Sequence, residues 1–315
     1  MNRFVVTTAF VTALLFCGNI CFAGDMVQIK GSDTLINVVQ KLAEEYMSKK
    51  PGTAIAVTGG GSGTGIAGLV NKKCDIANSS RQIKASEVDD ANKRGVDPKR
   101  VVVAIDALSI VVSTQNPIEK LTVDQIGKIY RGEIKNWNEV GGNDSPITLY
   151  GRQSNSGTYD FMKENVMFGE YSPNLKSMNG NAQIGEAIKQ DASGIGYIGV
   201  GYAKEATGIK VLEVSLKAGG KSYSPLNSAD VKSGYYPITR PLNQYINGVP
   251  KGVAKDFIEY ELSSEGQAIV EKEGFFAIPD EYQVYNDQLL GRSGKIRTGP
   301  GTMRPADLDT NDGAG

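Results

Sequence analysis

Residues 55–70 read Ile-Ala-Val-Thr-Gly-Gly-Gly-Ser-Gly-Thr-Gly-Ile-Ala-Gly-Leu-Val: a short β-branched run, a polar glycine turn, then apolar residues at helical spacing. The run predicts a strand over Ile55 to Thr58, and Ile66, Leu69 and Val70 predict one face of a helix. The unit occurs upstream as well. Val27 to Lys30 is a strand, Gly31-Ser32-Asp33-Thr34 is the turn, and Leu35, Val38, Val39, Leu42, Tyr46 and Met47 form the helix face, which Pro51-Gly52 ends. It occurs a third time downstream, where Ile147 to Tyr150 leads through Gly151-Arg152-Gln153-Ser154-Asn155-Ser156-Gly157-Thr158 into Tyr159, Phe161 and Met162. Alternation of this kind predicts an α/β protein with mostly parallel sheets flanked by helices.

The segments between fit the same plan. Asp75 to Ser79 is a short strand closed by Ser80 and Arg81. Val101 to Ile105 and Ser109 to Ser113 are apolar strands joined through Asp106-Ala107-Leu108, a candidate hinge. Thr122 to Tyr130 reads as a helix, Trp137 falls in a turn, Gly194 to Ile198 is another strand, and Phe257 to Val270 reads as one helix. Beyond Tyr285 the pattern gives way to glycine, charge and proline, so 286–315 is read as a C-terminal tail, loosely held over Ser293 to Gly315.

The first 23 residues read as an export signal: Arg3, an apolar run from Phe4 to Phe16, and Cys21-Phe22-Ala23 as the cleavage site. Cleavage after Ala23 predicts a periplasmic protein of about 290 residues, enough for two ordinary domains. Two of the three cysteines fall inside that signal, so Cys74 has no disulfide partner in the mature chain and reads as a buried filler. The chain has no histidine, which excludes His-based acid–base catalysis, His-containing triads and ordinary zinc sites. The net charge of −1 offers no broad basic surface for nucleic acid. The glycine run resembles a phosphate-cradling loop superficially, but no Gly-Lys-Ser or Gly-Lys-Thr follows, so nucleotide hydrolysis is not supported.

What the three turns share is chemistry. Each sets hydroxyls and backbone N–H groups at the first turn of a helix, where amide donors lack intrahelical partners and the dipole is positive. In open α/β sheets such turns collect at the carboxyl ends of strands, where ligands bind. A small tetrahedral oxyanion enclosed between two lobes suits them, gripped by the planar donor fork of Arg152, with Arg81 as a second cation or as the partner of a structural carboxylate. Any one of these turns alone reads as an ordinary helix cap before it reads as a site, and it is the three together that point to an anion.

Taken together, Gly31-Ser32-Asp33-Thr34-Leu35, Gly59 through Gly65, Asp75-Ile76-Ala77-Asn78-Ser79-Ser80-Arg81, Arg152 with Ser156-Gly157-Thr158, and the stretch from Leu121 to Gly142 resemble the phosphate-binding proteins of bacterial ABC transporters. The resemblance runs in matching order from Val27 to Asp280. It implies a type II periplasmic-binding-protein fold, with residues 24–107 and 236–285 as one lobe, 108–235 as the other, and two crossovers between them. It further implies a monomer that needs no cofactor, holds inorganic phosphate between its lobes and delivers it to an inner-membrane permease. Carried over by position, the contacts fall on Thr34 and the backbone of Leu35, on Ser62, and on Arg152, Ser156, Gly157 and Thr158; the same turns add Ser32, Asp33, Gly63, Ser80 and Arg81 as candidate phosphate-binding residues.

One departure stands out. The best-known family members place an aspartate where this chain has Ser80, and that carboxylate accepts the proton of bound hydrogen phosphate. A carboxylate there would reject fully ionised sulfate by facing it with an unpaired, desolvated charge. Asp33 is read as its substitute, ahead of Asp75, although Asp33 also suits a helix cap. Sulfate or another tetrahedral oxyanion is the first alternative ligand, and a phosphatase-like site with Ser62 or Ser156 as nucleophile is the second.

Overall fold

The computed structural model describes residues 26–292. The export signal and residues 293–315 of the expected tail lie outside them. In chain order the strands are β1 (Met26–Gly31), β2 (Ala54–Thr58), β3 (Ile76–Ser79), β4 (Pro98–Ala107), β5 (Ser109–Ser113), β6 (Lys120–Thr122), β7 (Thr148–Arg152), β8 (Lys176–Met178), β9 (Gly194–Ile198), β10 (Ile209–Val211), β11 (Glu213–Ser215) and β12 (Thr239–Asn247). The helices are α1 (Ile36–Lys49), α2 (Ser62–Val70), α3 (Ala85–Lys93), α4 (Val123–Arg131), α5 (Gly157–Met162), α6 (Asn181–Gln190), α7 (Val200–Glu205), α8 (Ser228–Lys232), α9 (Gly252–Glu261), α10 (Ser264–Lys272) and α11 (Asp280–Leu289).

Two five-stranded sheets form two lobes, in the orders β2-β1-β3-β12-β4 and β10-β5-β9-β7-β8. The sheets are mixed rather than mostly parallel. β1 runs parallel to β2 and β3, and β7 runs parallel to β8 and β9, but β12 is antiparallel to β3 and β4, and β5 is antiparallel to β9 and β10. The reason is connectivity: β5 and β12 enter their sheets by crossing from the other lobe, whereas strands joined by a covering helix return parallel. At the crossovers Leu108 N–H donates to Ile238 O (2.9 Å), and the buried Tyr236 hydroxyl donates to Leu108 O (2.7 Å). The two passages of chain are thereby tied together.

Apolar faces predicted from spacing are the buried ones: Val38, Val39, Leu42 and Tyr46 of α1 and Ile66, Leu69 and Val70 of α2 lie against the first sheet. Gly65 is required by that packing, because a Cβ there would meet Lys30 O at 2.5 Å. Helix α4 is closed at both ends by side chains and backbone. Thr122 Oγ1 accepts from Gln125 N–H (3.0 Å), Gln125 returns an acceptor to Thr122 N–H (2.9 Å), and Gly132 at φ 76° caps the carboxyl end. Cys74 is buried, and burial pushes its thiol up to about 11, in keeping with a filler role.

Two further expectations are corrected. The single helix over Phe257 to Val270 is two helices, α9 and α10, because Ser263 Oγ donates to Tyr260 O (2.6 Å) and accepts from Gly266 N–H (3.1 Å), ending one helix and capping the next. The tail does not begin at residue 286, since α11 runs to Leu289. Its Asn286 is buried, with the side-chain amide donating to Val102 O (2.7 Å) and accepting from Val102 N–H (3.0 Å). This amide satisfies both backbone groups of Val102 in the edge strand β4, which polar composition alone did not reveal.

Candidate oxyanion site between the lobes

The three glycine turns meet at the carboxyl ends of β1, β2 and β7, where the lobes face each other. Ser32 Oγ accepts from Thr34 N–H (3.3 Å), which turns the chain into α1 and buries Thr34 completely. Leu35 N–H bonds to Ser32 O (3.2 Å), and the Leu35 side chain enters the core. Gly61, at φ 90°, starts α2. Ser156 Oγ accepts from Thr158 N–H (3.2 Å) as the cap of α5.

Four buried hydroxyls converge across the cleft. Thr34 Oγ1 lies 3.2 Å from Thr158 Oγ1, Ser80 Oγ lies 3.5 Å from Thr158 Oγ1, and Ser62 Oγ lies 3.4 Å from Ser80 Oγ. Ser62 Oγ also accepts from Ser80 N–H (3.1 Å), so its own proton is free to point elsewhere. The lobes approach so closely that a Cβ on Gly157 would sit 2.3 Å from Ser62 Oγ and 2.8 Å from Ser80 Oγ. Glycine is the residue that permits this contact.

Arg152 is 2% exposed, and its Nη2 ion-pairs with Asp33 Oδ2 of the other lobe and donates to Asn179 O (2.8 Å). Its Nε is buried with no hydrogen-bond acceptor among the described residues. The second Asp33 oxygen accepts from Gly60 N–H (2.9 Å), and Tyr202 OH donates to Asp33 O (2.8 Å). Burial, followed by the Asp33 charge, pushes the Tyr202 phenol up to about 12, so it stays protonated and donating. Asp33 is therefore the holder of Arg152 rather than a helix cap.

Besides the Leu35 amide, which bonds within its own turn, two further expected contacts are otherwise engaged. Arg81 makes two hydrogen bonds to Glu87 (2.7 and 2.8 Å), one to Gln82 O (2.9 Å), and an ion pair with Asp160 Oδ2 (2.8 Å), which also pairs with Lys84 (2.9 Å). Burial works against the Arg81 charge, but Glu87 and Asp160 outweigh it and hold its pKa above the ordinary value. Arg81 is thus the partner of structural carboxylates and clasps the lobes. Gly63 N–H donates to Asn155 O across the cleft (3.0 Å), and Asn155 Nδ2 donates back to Gly60 O (2.9 Å).

A second buried guanidinium was not anticipated. Arg240 of β12 forms an ion pair with Asp106 of β4, Nη2 to Oδ2 at 2.9 Å, with both side chains at 1% exposure or less. The signal was present in part: a carboxylate inside the apolar run from Val101 to Val112 demands a buried partner. The partner is 134 residues away, and spacing could not name it.

Comparison with known proteins bears on the family and the fold. The model of the PBP superfamily domain matches residues 22–265. The phosphate-binding protein PstS of Pseudomonas aeruginosa is 32% identical over 267 residues, covering 79% of this chain and 82% of that protein. A crystal structure of a putative phosphate ABC transporter substrate-binding protein with bound phosphate, from Clostridium perfringens, superposes with TM-score 0.72 at 30% identity, covering 81% of this chain and all of that one. An ABC-type phosphate transport receptor from Vibrio cholerae gives TM-score 0.64 at 27% identity, over 80% of this chain and all of the receptor. With two α/β lobes of this topology and relatives matched along most of their length, the chain belongs to the PstS family of phosphate-binding proteins, within the PBP superfamily.

Proposed function

We propose that the protein is an extracytoplasmic receptor that captures inorganic phosphate between its lobes and delivers it to an ABC transporter permease. The observation that carries this reading is the buried Arg152 guanidinium, whose Nε finds no acceptor among the described residues, in the same cleft as the hydroxyls of Thr34, Ser62, Ser80 and Thr158. A desolvated cation among hydroxyl donors favours a small anion of several acceptor oxygens. Relatives named for phosphate binding support phosphate as that anion.

In this reading binding proceeds without covalent chemistry, as a monomer released to the periplasm after cleavage at Ala23. One lobe takes residues 24–107 and 236–285, the other 108–235. Phosphate enters an open form, donors from both lobes engage it, and rotation about the crossovers at Leu108 and Ile238 closes the cleft and forms the surface a permease recognises. Ser80 favours one second reading, because a hydroxyl cannot reject sulfate as a carboxylate would. Isothermal titration of the mature protein with phosphate, sulfate, molybdate and arsenate separates the two. Phosphate binding in the micromolar range or tighter that collapses in Arg152→Ala is the expected result, and unchanged binding in that variant refutes the site.

A further inference from the structure

Arg240 and Asp106 stand directly opposite each other in the register of β12 and β4, both in the first sheet, and both reach into the second lobe. Arg240 Nε and Nη2 donate to Asp106 Oδ2 (3.0 and 2.9 Å), and Nη1 donates to Ser80 O (3.1 Å). Nη2 also donates to Thr158 Oγ1 (3.0 Å). Asp106 Oδ1 accepts from Val200 N–H (2.9 Å), and the Phe161 ring lies 5.1 Å from the guanidinium carbon. The guanidinium is thus fixed by a carboxylate, a carbonyl and an aromatic face before it touches the hydroxyl.

We propose that Arg240, held by Asp106, is a positioning residue that sets the Thr158 hydroxyl as a donor toward the bound anion, an inference that rests on the phosphate reading above. The reason is hydrogen-bond polarity. Arginine has donors only, so Thr158 Oγ1 must accept from it, and the single hydroxyl proton is turned away from Arg240 toward the side of Thr34 and Ser80. Asp106 offsets the Arg240 charge, so the pair contributes orientation rather than net attraction. A lysine would keep the charge but could not reach Asp106, Ser80 O and Thr158 together, because it lacks the planar fork.

The test is a double-mutant cycle read by calorimetry with inorganic phosphate, using wild type, Arg240→Lys, Thr158→Val and the double variant of the mature chain. Arg240→Lys weakens phosphate binding about tenfold or more, the size expected for a charge-assisted hydrogen bond. In the Thr158→Val background the same change costs less than about threefold, because the group it acts through is gone. Should thermal unfolding show Arg240→Lys to be misfolded, Asp106→Asn with Arg240→Gln replaces the ion pair by a neutral one, and the same cycle with Thr158→Val gives the same non-additive result. Losses that multiply in both backgrounds overturn the proposal while leaving phosphate capture intact. A wild-type protein that bound no phosphate would remove the underlying reading and the proposal with it.

Discussion

Asp33 and Arg152 lie on opposite lobes, in the turn after β1 and at the end of β7, and their side chains form an ion pair across the cleft. The pair does two things at once. It orients the guanidinium, and it is one of the bonds that hold the lobes together, alongside Thr34 with Thr158, Gly63 with Asn155, and Arg81 with Asp160.

Asp33→Ala removes the holder of Arg152 and the acceptor of Gly60 N–H together. The closed form loses a partly buried charge pair, so phosphate binding weakens by about tenfold or more. Small-angle scattering of the ligand-free variant should show a larger radius of gyration than wild type. Equal affinity and equal radius would show that Arg152 needs no partner.

Gly157→Ala places a methyl group where Ser62 Oγ and Ser80 Oγ stand, at 2.3 and 2.8 Å, in the other lobe. Both distances are shorter than real Cβ contacts allow, so the added carbon keeps the turns apart without disturbing either core. Phosphate affinity should fall by about a hundredfold, while the ligand-free melting temperature changes by only about 2 °C. A variant that binds normally would show that close apposition of these turns is unnecessary.

Glu261 is buried in the first lobe, accepts one bond from Gln244 Nε2 (3.0 Å), and has a second oxygen with no partner among the described residues. Burial pushes its pKa up to about 8 from an ordinary 4.5, with the Gln244 bond opposing. The native state then holds a proton that the unfolded chain releases between those values, so the stabilising contribution is complete below about pH 4.5 and is lost as pH rises toward about 8. Across that window the cost approaches about 1.4 kcal/mol per pH unit. Glu261→Gln abolishes this slope, which denaturant unfolding at pH 6, 7 and 8 would measure as a stability gain over wild type that grows with pH. A gain that stays constant would show that Glu261 does not titrate in this range.

The amino-acid sequence alone determined the local units: three strand, turn and helix repeats, the apolar faces of α1 and α2, and the hydroxyls and the arginine that the turns carry. These are legible because periodicity and capping are rules about neighbours within a few residues. It could not decide which charged groups meet. Arg81 turned to Glu87 and Asp160, Asp33 to Arg152, and Arg240 to Asp106 across 134 positions, because a buried charge takes whatever partner the packed lobes bring within reach. The antiparallel β5 and β12, and the burial of Asn286 beyond the apparent end of the fold, followed from the same cause: long-range contact outweighs local pattern.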